Sequence, residues 1–139
     1  MDITEKKVVK EHTITIIPRY SETDQGGVVH HSVYPVYFEM GRTELLRATN
    51  TAYKDIEAAG ILFVVAELNI KYRRPAGYDE KLRLETACTA VTAVTIEHTY
   101  KLTRAKDGEL LAEGRSVLVC VNSEGKARRI PKQLRDAIE

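Results

Sequence analysis

The sequence predicts an α+β protein in which an antiparallel sheet of about five strands is wrapped around one long central helix. Residues 33–49 have helical periodicity and are apolar around most of the helix circumference, so this helix is enclosed by other elements. One segment before it and four after it alternate in the two-residue period of β-strands. Because short polar turns join the later segments, we expect antiparallel neighbours that pack against the helix.

The first strand is predicted over residues 12–18, where Ile14 and Ile16 alternate with threonines. The alternation stops at residue 19. Residues 19–31 contain serine, threonine, aspartate and the pair Gly26–Gly27, which favour turns and positive φ angles. A loop therefore leads from the strand into the helix.

The helix is predicted over residues 33–49, with Ser32 as its N-cap and Asn50 as its stop. Pro35 lies in the first turn, where a missing N–H is tolerated. Gly41 lies in the middle, where glycine costs about 1 kcal/mol relative to alanine. We explain that glycine by a close approach of a neighbouring strand.

A short helix is predicted over residues 53–59, and a long strand follows it. Period-two alternation places six of its side chains on one apolar face: Leu62, Val64, Ala66, Leu68, Ile70 and Tyr72. The other face begins with three apolar residues, namely Ile61, Phe63 and Val65. Because this outward surface is apolar, we expect it to contact a second subunit in a homodimer or homotetramer. Three more strands, over 81–91, 94–105 and 109–121, precede a closing helix over 131–138.

Length and charge narrow the functional classes. The 139 residues match one domain, 1–139, and 21 basic against 20 acidic side chains give no field that would collect nucleic acid. The first residues lack an apolar stretch of signal-peptide length, and no apolar run is long enough for membrane insertion. We therefore expect a cytoplasmic protein, in which Cys88 and Cys120 are buried thiols.

The loop over 19–31 carries the densest group of chemically useful residues. Asp24, two glycines and two histidines directly precede the N-terminus of the central helix. Unpaired N–H groups and partial positive charge at such a terminus can stabilise the oxyanion of an attacked carbonyl. Asp24 can supply the general base or nucleophile, although an aspartate beside two glycines is also typical of an Asx-turn.

The segment TDQGGVVHHSVYPVYFEMGRTELLR resembles the signature of 4-hydroxybenzoyl-CoA thioesterase-type hotdog-fold proteins. It is most similar to the acyl-CoA thioesterase subgroup associated with the Tol-Pal system. The likeness continues through FVV, YRRPAGYDEKL and RIPK and thus spans nearly the whole chain. It implies a hotdog fold and hydrolysis of an acyl-CoA substrate without a cofactor or metal.

The resemblance also implies roles for single residues. Asp24 matches the catalytic aspartate of the family, and His31 matches the residue whose backbone N–H polarises the thioester carbonyl. Gly27 belongs to the loop that lets the backbone approach substrate. Other hotdog thioesterases carry a catalytic glutamate on the helix, so Glu39 and Glu44 are reserve carboxylates. Arg42, beside Glu39, is predicted to lie on a solvated or interface face of the helix.

Four basic residues are candidates for binding the phosphates of CoA: Arg73, Arg128, Arg129 and Lys132. The same residues would also suit acyl carrier protein, which is an alternative carrier of the acyl group. A non-catalytic acyl-CoA-binding module and a hotdog dehydratase are further alternatives, because a fold does not fix a function.

Overall fold

The structure, a computed structural model, describes residues 10–49 and 53–138. In chain order the elements are β1 (Glu11–Ile16), α1 (Tyr34–Arg47), α2 (Tyr53–Ala58), β2 (Leu62–Tyr72), β3 (Leu82–Val91), β4 (Thr95–Arg104), β5 (Leu110–Val121) and α3 (Lys132–Ile138). Short 3-10 turns lie at Tyr20–Glu22 and His31–Val33. The predicted elements are confirmed. None of the helices in the described ranges has the length and apolar character needed to span a bilayer.

The five strands form one antiparallel sheet in the order β1-β3-β4-β5-β2, so β1 and β2 are the edge strands. Helix α1 lies on one face of the sheet, which we call the inner face. It packs chiefly against β3 and β1 rather than across the sheet centre. Consequently the inner face of β2 is less covered than that of the other strands.

Two glycines bring α1 and the sheet close together. A Cβ atom on Gly41 would lie 2.7 Å from Leu84 Cδ2 on β3 and would also collide with the Thr86 hydroxyl. On β5, a Cβ atom on Gly114 would lie 2.5 Å from a ring carbon of Phe38, which stacks on Tyr100 at 4.2 Å between ring centroids. The prediction that a strand passes close to Gly41 is confirmed.

The prediction that Leu68, Ile70 and Tyr72 share one face of β2 is confirmed, but the faces predicted for the residues before Ala66 are wrong, because the register against β5 shifts between Val65 and Glu67. Ala66 is the extra residue of this bulge, and one inserted residue exchanges the two faces of a strand. The inner face of β2 therefore carries five side chains: Phe63, Val65, Leu68, Ile70 and Tyr72. Leu62, Val64 and Glu67 lie on the outer face instead.

The start of the central helix also differs from the prediction. Ser32 lies inside the 3-10 turn that precedes α1, and its backbone N–H donates to His30 Nδ1 at 3.2 Å. His30 is therefore the capping side chain of that turn. Pro35 lies in the first turn of α1, as predicted. The predicted stop, Asn50, lies outside the described residues.

Polar side chains are buried within the core. Tyr100 and Ser116 share a hydrogen bond of 2.6 Å, whereas His98 Nδ1 is buried and has no hydrogen-bond partner among the described atoms. Burial, and then the charge of Arg42, lower the pKa of His98 from 6.5 to about 4. Cys120 is fully buried, as predicted, and Cys88 is half-buried.

We predict that Gly41→Ala destabilises the protein. Alanine gains about 1 kcal/mol of helix propensity, but overpacking against Leu84 and Thr86 costs about 1–3 kcal/mol. We therefore expect a net loss of up to about 2 kcal/mol in the free energy of unfolding, measured by urea denaturation. Arg47→Ala, at an exposed position of the same helix, should shift it by about 0.5 kcal/mol or less. A Gly41→Ala protein more stable than the original would contradict this close packing.

Protonation of His98 should destabilise the fold in mild acid. The native state keeps His98 neutral down to its lowered pKa of about 4, whereas the unfolded chain binds the proton near pH 6.5. Stability should therefore fall as pH drops from 6.5 towards 4, by at most about 3 kcal/mol at 1.36 kcal/mol per pKa unit. When thermal unfolding is measured across this pH range, the melting temperature should fall less in His98→Gln than in the original protein, because the amide does not titrate. Equal decreases in melting temperature in both proteins would contradict the conclusion that protonation of His98 destabilises the fold.

Candidate active site

The loop that carries Asp24 is a short hairpin. Thr23 and Val29 pair in an isolated antiparallel bridge, and the Asp24 N–H donates to the Val28 carbonyl at 2.8 Å. At the tip, the Gly27 N–H donates to the Asp24 carbonyl at 3.1 Å, and Gly27 has a φ of 80°. Glycine is required at position 27 because this left-handed conformation strains other side chains. The described contacts thus give Gly27 a conformational role.

The carboxylate of Asp24 is held at one oxygen. Its Oδ1 accepts the Gly26 N–H at 2.7 Å and lies 3.5 Å from the Val28 nitrogen, which is the geometry of an Asx-turn. Its Oδ2 accepts no hydrogen bond from the described residues. The side chain is exposed in the single chain. A carboxylate anchored through one oxygen still offers the other oxygen to a reactant.

Glu22 fixes this hairpin to the central helix. Its carboxylate accepts the buried Tyr37 hydroxyl at 3.0 Å and the Arg19 N–H at 2.8 Å, and its carbonyl accepts the His30 N–H at 2.9 Å. Burial acts to raise the pKa of Glu22, but these donors lower it overall. Sequence reasoning missed Glu22; the signal was Tyr37 in the apolar arc of α1, because a buried tyrosine needs a hydroxyl partner.

The helix start is anchored to the end of β2. The Tyr72 hydroxyl donates to the His31 carbonyl at 2.8 Å, and the Tyr34 and Tyr72 rings meet edge to face with centroids 4.9 Å apart. No described atom accepts the His31 backbone N–H, which lies in the turn leading into α1. This N–H and the positive end of the helix can therefore stabilise a developing oxyanion.

Two cavities lie between α1 and the inner face of β2 and β5. The front cavity, of about 150 Å³, is next to the first turn of α1, and it is lined by Pro35, Val36, Glu39, Arg42, Val65, Leu68 and Ser116. The rear cavity, of about 280 Å³, lies further along the helix, and it is lined by Glu39, Arg42, Thr43, Glu57, Ile61, Phe63 and Leu118. Asp24 and His31 line neither cavity in the single chain.

The two reserve carboxylates occupy different surroundings. Glu39 is 70% exposed at the rim of both cavities, 3.8 Å from Arg42. Glu44 is half-exposed and pairs with Arg47 at 2.7 Å. Arg42 was predicted to lie on a solvated or interface face; it is not solvated, since its side chain is only 10% exposed in the single chain. Arg42 points inward because the uncovered inner face of the sheet admits its long side chain.

The candidate phosphate-binding residues are not brought together within one chain. Arg73 follows the end of β2 near the helix start and pairs with Glu113 at 2.6 Å. Arg128, Arg129 and Lys132 follow β5, whose end pairs with the start of β2. Because β2 has 11 residues at about 3.3 Å each, these two basic groups lie at opposite ends of the sheet.

A depression of about 580 Å³ lies on the outer face of the sheet. Charged side chains such as Glu85, Lys101 and Glu113 line it, but none of the predicted site residues does. In the described ranges, no group of three or more His, Cys, Asp or Glu side chains is arranged to hold a metal ion.

Comparisons with known proteins identify the family of this chain. Residues 18–138 match the model of the thioesterase-like superfamily. The chain is 33% identical over 116 residues to the acyl-CoA thioester hydrolase YbgC of Escherichia coli O6:H1, covering 83% of this chain and 86% of that one. It is 35% identical over 106 residues to the putative acyl-CoA thioesterase YneP of Bacillus subtilis, covering 76% of each.

Solved structures show the same fold. The DHNA-CoA thioesterase of Staphylococcus aureus superposes with a TM-score of 0.85 at 29% identity, covering 91% of this chain and 85% of that one. A hypothetical protein from Thermus thermophilus gives the same TM-score at 37% identity, covering 91% and 95%. The predicted hotdog fold is thereby confirmed. The chain belongs to the thioesterase-like superfamily, and it is a thioester hydrolase.

Proposed function

We propose that this enzyme hydrolyses an acyl-CoA thioester, with Asp24 as the catalytic carboxylate and the His31 backbone N–H as oxyanion donor. The observation that carries the proposal is the hairpin that presents Asp24 and leads directly into the α1 N-terminus. Support comes from the acyl-CoA thioester hydrolases that the chain resembles over most of its length.

In the proposed reaction, Asp24 acts as general base or as nucleophile. As a base, its free Oδ2 takes a proton from water while the resulting hydroxide attacks the thioester carbonyl. The oxyanion of the tetrahedral intermediate is stabilised by the His31 N–H and the helix dipole. When the C–S bond breaks, Asp24 returns the proton to the CoA thiolate. As a nucleophile, Asp24 attacks the carbonyl itself, the C–S bond breaks, and CoA leaves as a thiolate that takes a proton from solvent. Water then hydrolyses the acyl-enzyme anhydride, which releases the acid and regenerates the Asp24 carboxylate.

We propose that the complete site is formed by two copies of the chain. Edge strand β2 carries three exposed large aliphatic side chains, Val64, Val65 and Leu68, which are 47%, 50% and 42% exposed. Such a long apolar edge normally pairs with another strand. If two β2 strands pair antiparallel around a two-fold axis, the end of β2 in one copy lies beside the start of β2 in the other.

This pairing would bring distant groups together. The basic segment 128–132 of one copy would then approach the Asp24 hairpin of the other, although the two lie at opposite ends of a single sheet. Arg129 and Lys132 are exposed and would be available to the phosphates of CoA. An exposed Asp24 in the single chain is consistent with a site that a second copy covers.

Acyl carrier protein is the alternative carrier. The chain is 24% identical over 124 residues to a chloroplastic acyl-acyl carrier protein thioesterase of Arabidopsis thaliana, and the exposed basic segment would suit an acidic protein. Comparison of kcat/KM for one acyl group on both carriers separates these substrates.

We place the reaction in the cytoplasm, since the buried thiol of Cys120 fits a reducing compartment.

We predict that Asp24→Asn lowers kcat/KM for acyl-CoA by about 100-fold or more, because general acid–base groups contribute about 10²–10⁴. The amide retains the Asx-turn but has no negative charge. Released thiol is measured with a chromogenic disulfide, and circular dichroism checks the fold. The matched control is Asp79→Asn, at an exposed loop aspartate, which should keep full activity. Full turnover by a folded Asp24→Asn protein would refute the assignment.

Subunit complementation tests the shared site. One chain carries Asp24→Asn, the other carries Arg128→Ala, Arg129→Ala and Lys132→Ala, and heterodimers are purified with two affinity tags. We expect both homodimers to have low kcat/KM and the heterodimer to regain about half of the original activity, because one of two symmetric sites is intact. Heterodimers as inactive as both homodimers would show that the basic segment serves the Asp24 of its own chain.

A further inference from the structure

Arg42 and Glu39 stand between the front and rear cavities. These two residues line both cavities, whereas the other lining residues belong to only one of them. The front cavity is bounded further by Val36, Val65 and Leu68, and the rear cavity by the apolar side chains of Ile61, Phe63 and Leu118. Thr43 and Glu57 add polar groups to the rear cavity. A charged pair thus stands between a mainly apolar front cavity and a rear cavity that has an apolar side formed by Ile61, Phe63 and Leu118.

The two cavities lie in sequence along α1. Pro35, Glu39 and Arg42 are spaced at i, i+4 and i+7 and therefore form one stripe on the helix. Pro35 is in the first turn, next to the proposed oxyanion site, and Arg42 lies about 10 Å further along the axis at 1.5 Å per residue. An acyl group that starts at the helix N-terminus and follows this stripe meets the guanidinium of Arg42.

Arg42 is fixed in this position and has donors to spare. Its side chain is nine-tenths buried, its Nη1 donates to the Tyr100 hydroxyl at 3.4 Å, and its Nη2 lies 3.8 Å from Glu39. Tyr100 is in turn bonded to Ser116 at 2.6 Å. A guanidinium has five N–H donors, so these long contacts satisfy only part of its capacity. Burying a cation beside apolar side chains costs free energy. This cost indicates that the position of Arg42 serves a function.

We infer that Arg42, together with Glu39, is a gate that limits the length of the acyl group. This inference rests on the proposed function, in which the thioester carbonyl lies at the start of α1. The front cavity of about 150 Å³ equals the size of a cavity that holds one benzene molecule, so it fits a short acyl chain or a single ring. A longer chain has to displace the charged pair before it reaches the rear cavity.

The test compares acyl-CoA esters of increasing length, from acetyl and butyryl through octanoyl to palmitoyl. Arg42→Ala removes the gate, Arg42→Met replaces it with an apolar chain of similar reach, and Arg42→Lys keeps a cation. Arg47→Met is the matched control on the exposed side of the same helix. Two quantities are measured: kcat/KM for each ester, and the dissociation constant of each ester for the same variants in an Asp24→Asn background.

The original protein should prefer butyryl- over palmitoyl-CoA. Arg42→Ala and Arg42→Met should raise kcat/KM for octanoyl- relative to butyryl-CoA by about tenfold or more, because added methylenes can then pack against Ile61, Phe63 and Leu118 on the apolar side of the rear cavity. Arg42→Lys and Arg47→Met should keep the original preference. Affinities in the Asp24→Asn background should shift in the same direction.

Two results would overturn the gate. One is an equal kcat/KM of the original protein for butyryl- and palmitoyl-CoA. This measurement does not depend on the folding of any variant. The other is an unchanged length preference in folded Arg42→Ala and Arg42→Met. The binding data separate this failure from failure of the proposed catalytic site. If Asp24→Asn remains active but the affinities still depend on Arg42, only the role of Asp24 is wrong.

Discussion

The close packing of α1 against β3 at Gly41 is the constraint on which the rest of the structure depends. Without a side chain at this position, the helix approaches Leu84 and Thr86 and lies towards β1 and β3. The inner face of β5 and β2 is then left partly uncovered, and the two cavities occupy that space. The same placement leaves apolar side chains of β2 exposed at the sheet edge, which is the physical reason to expect a second copy there.

The chemistry of the proposed site depends on how the hairpin is attached to this helix. Tyr37, buried on α1, donates to Glu22, and Tyr72 at the end of β2 donates to the carbonyl of His31. These two bonds fix the hairpin and the helix start to separate elements of the scaffold. The Asx-turn of Asp24 is therefore compatible with catalysis, since it fixes one carboxylate oxygen and leaves the other available.

The sequence predicted the helices and strands of residues 10–49 and 53–138, because each has a clear period and is bounded by glycine, proline or polar residues. It also predicted the close approach at Gly41. The face change within β2 could not be predicted, because the residues leading up to the bulge at Ala66 are all apolar and no residue type there indicates a bulge. One inserted residue reverses the alternation of the strand. The burial of Arg42 was missed for a different reason: it depends on how far α1 covers the sheet, and that is a tertiary property. Asp24 and His31 were proposed as site residues through resemblance to a family, whereas Glu22 required the contact to Tyr37.

The central claim is that Asp24 faces a thioester carbonyl bound at the N-terminus of α1. The most direct measurement is a crystal structure with a non-hydrolysable acyl-CoA analogue that has a ketone in place of the thioester. The account predicts a ketone oxygen within hydrogen-bond distance of the His31 N–H and Asp24 Oδ2 directed at the ketone carbon. An analogue bound with its ketone away from this helix start, or with Asp24 turned to solvent, would contradict it.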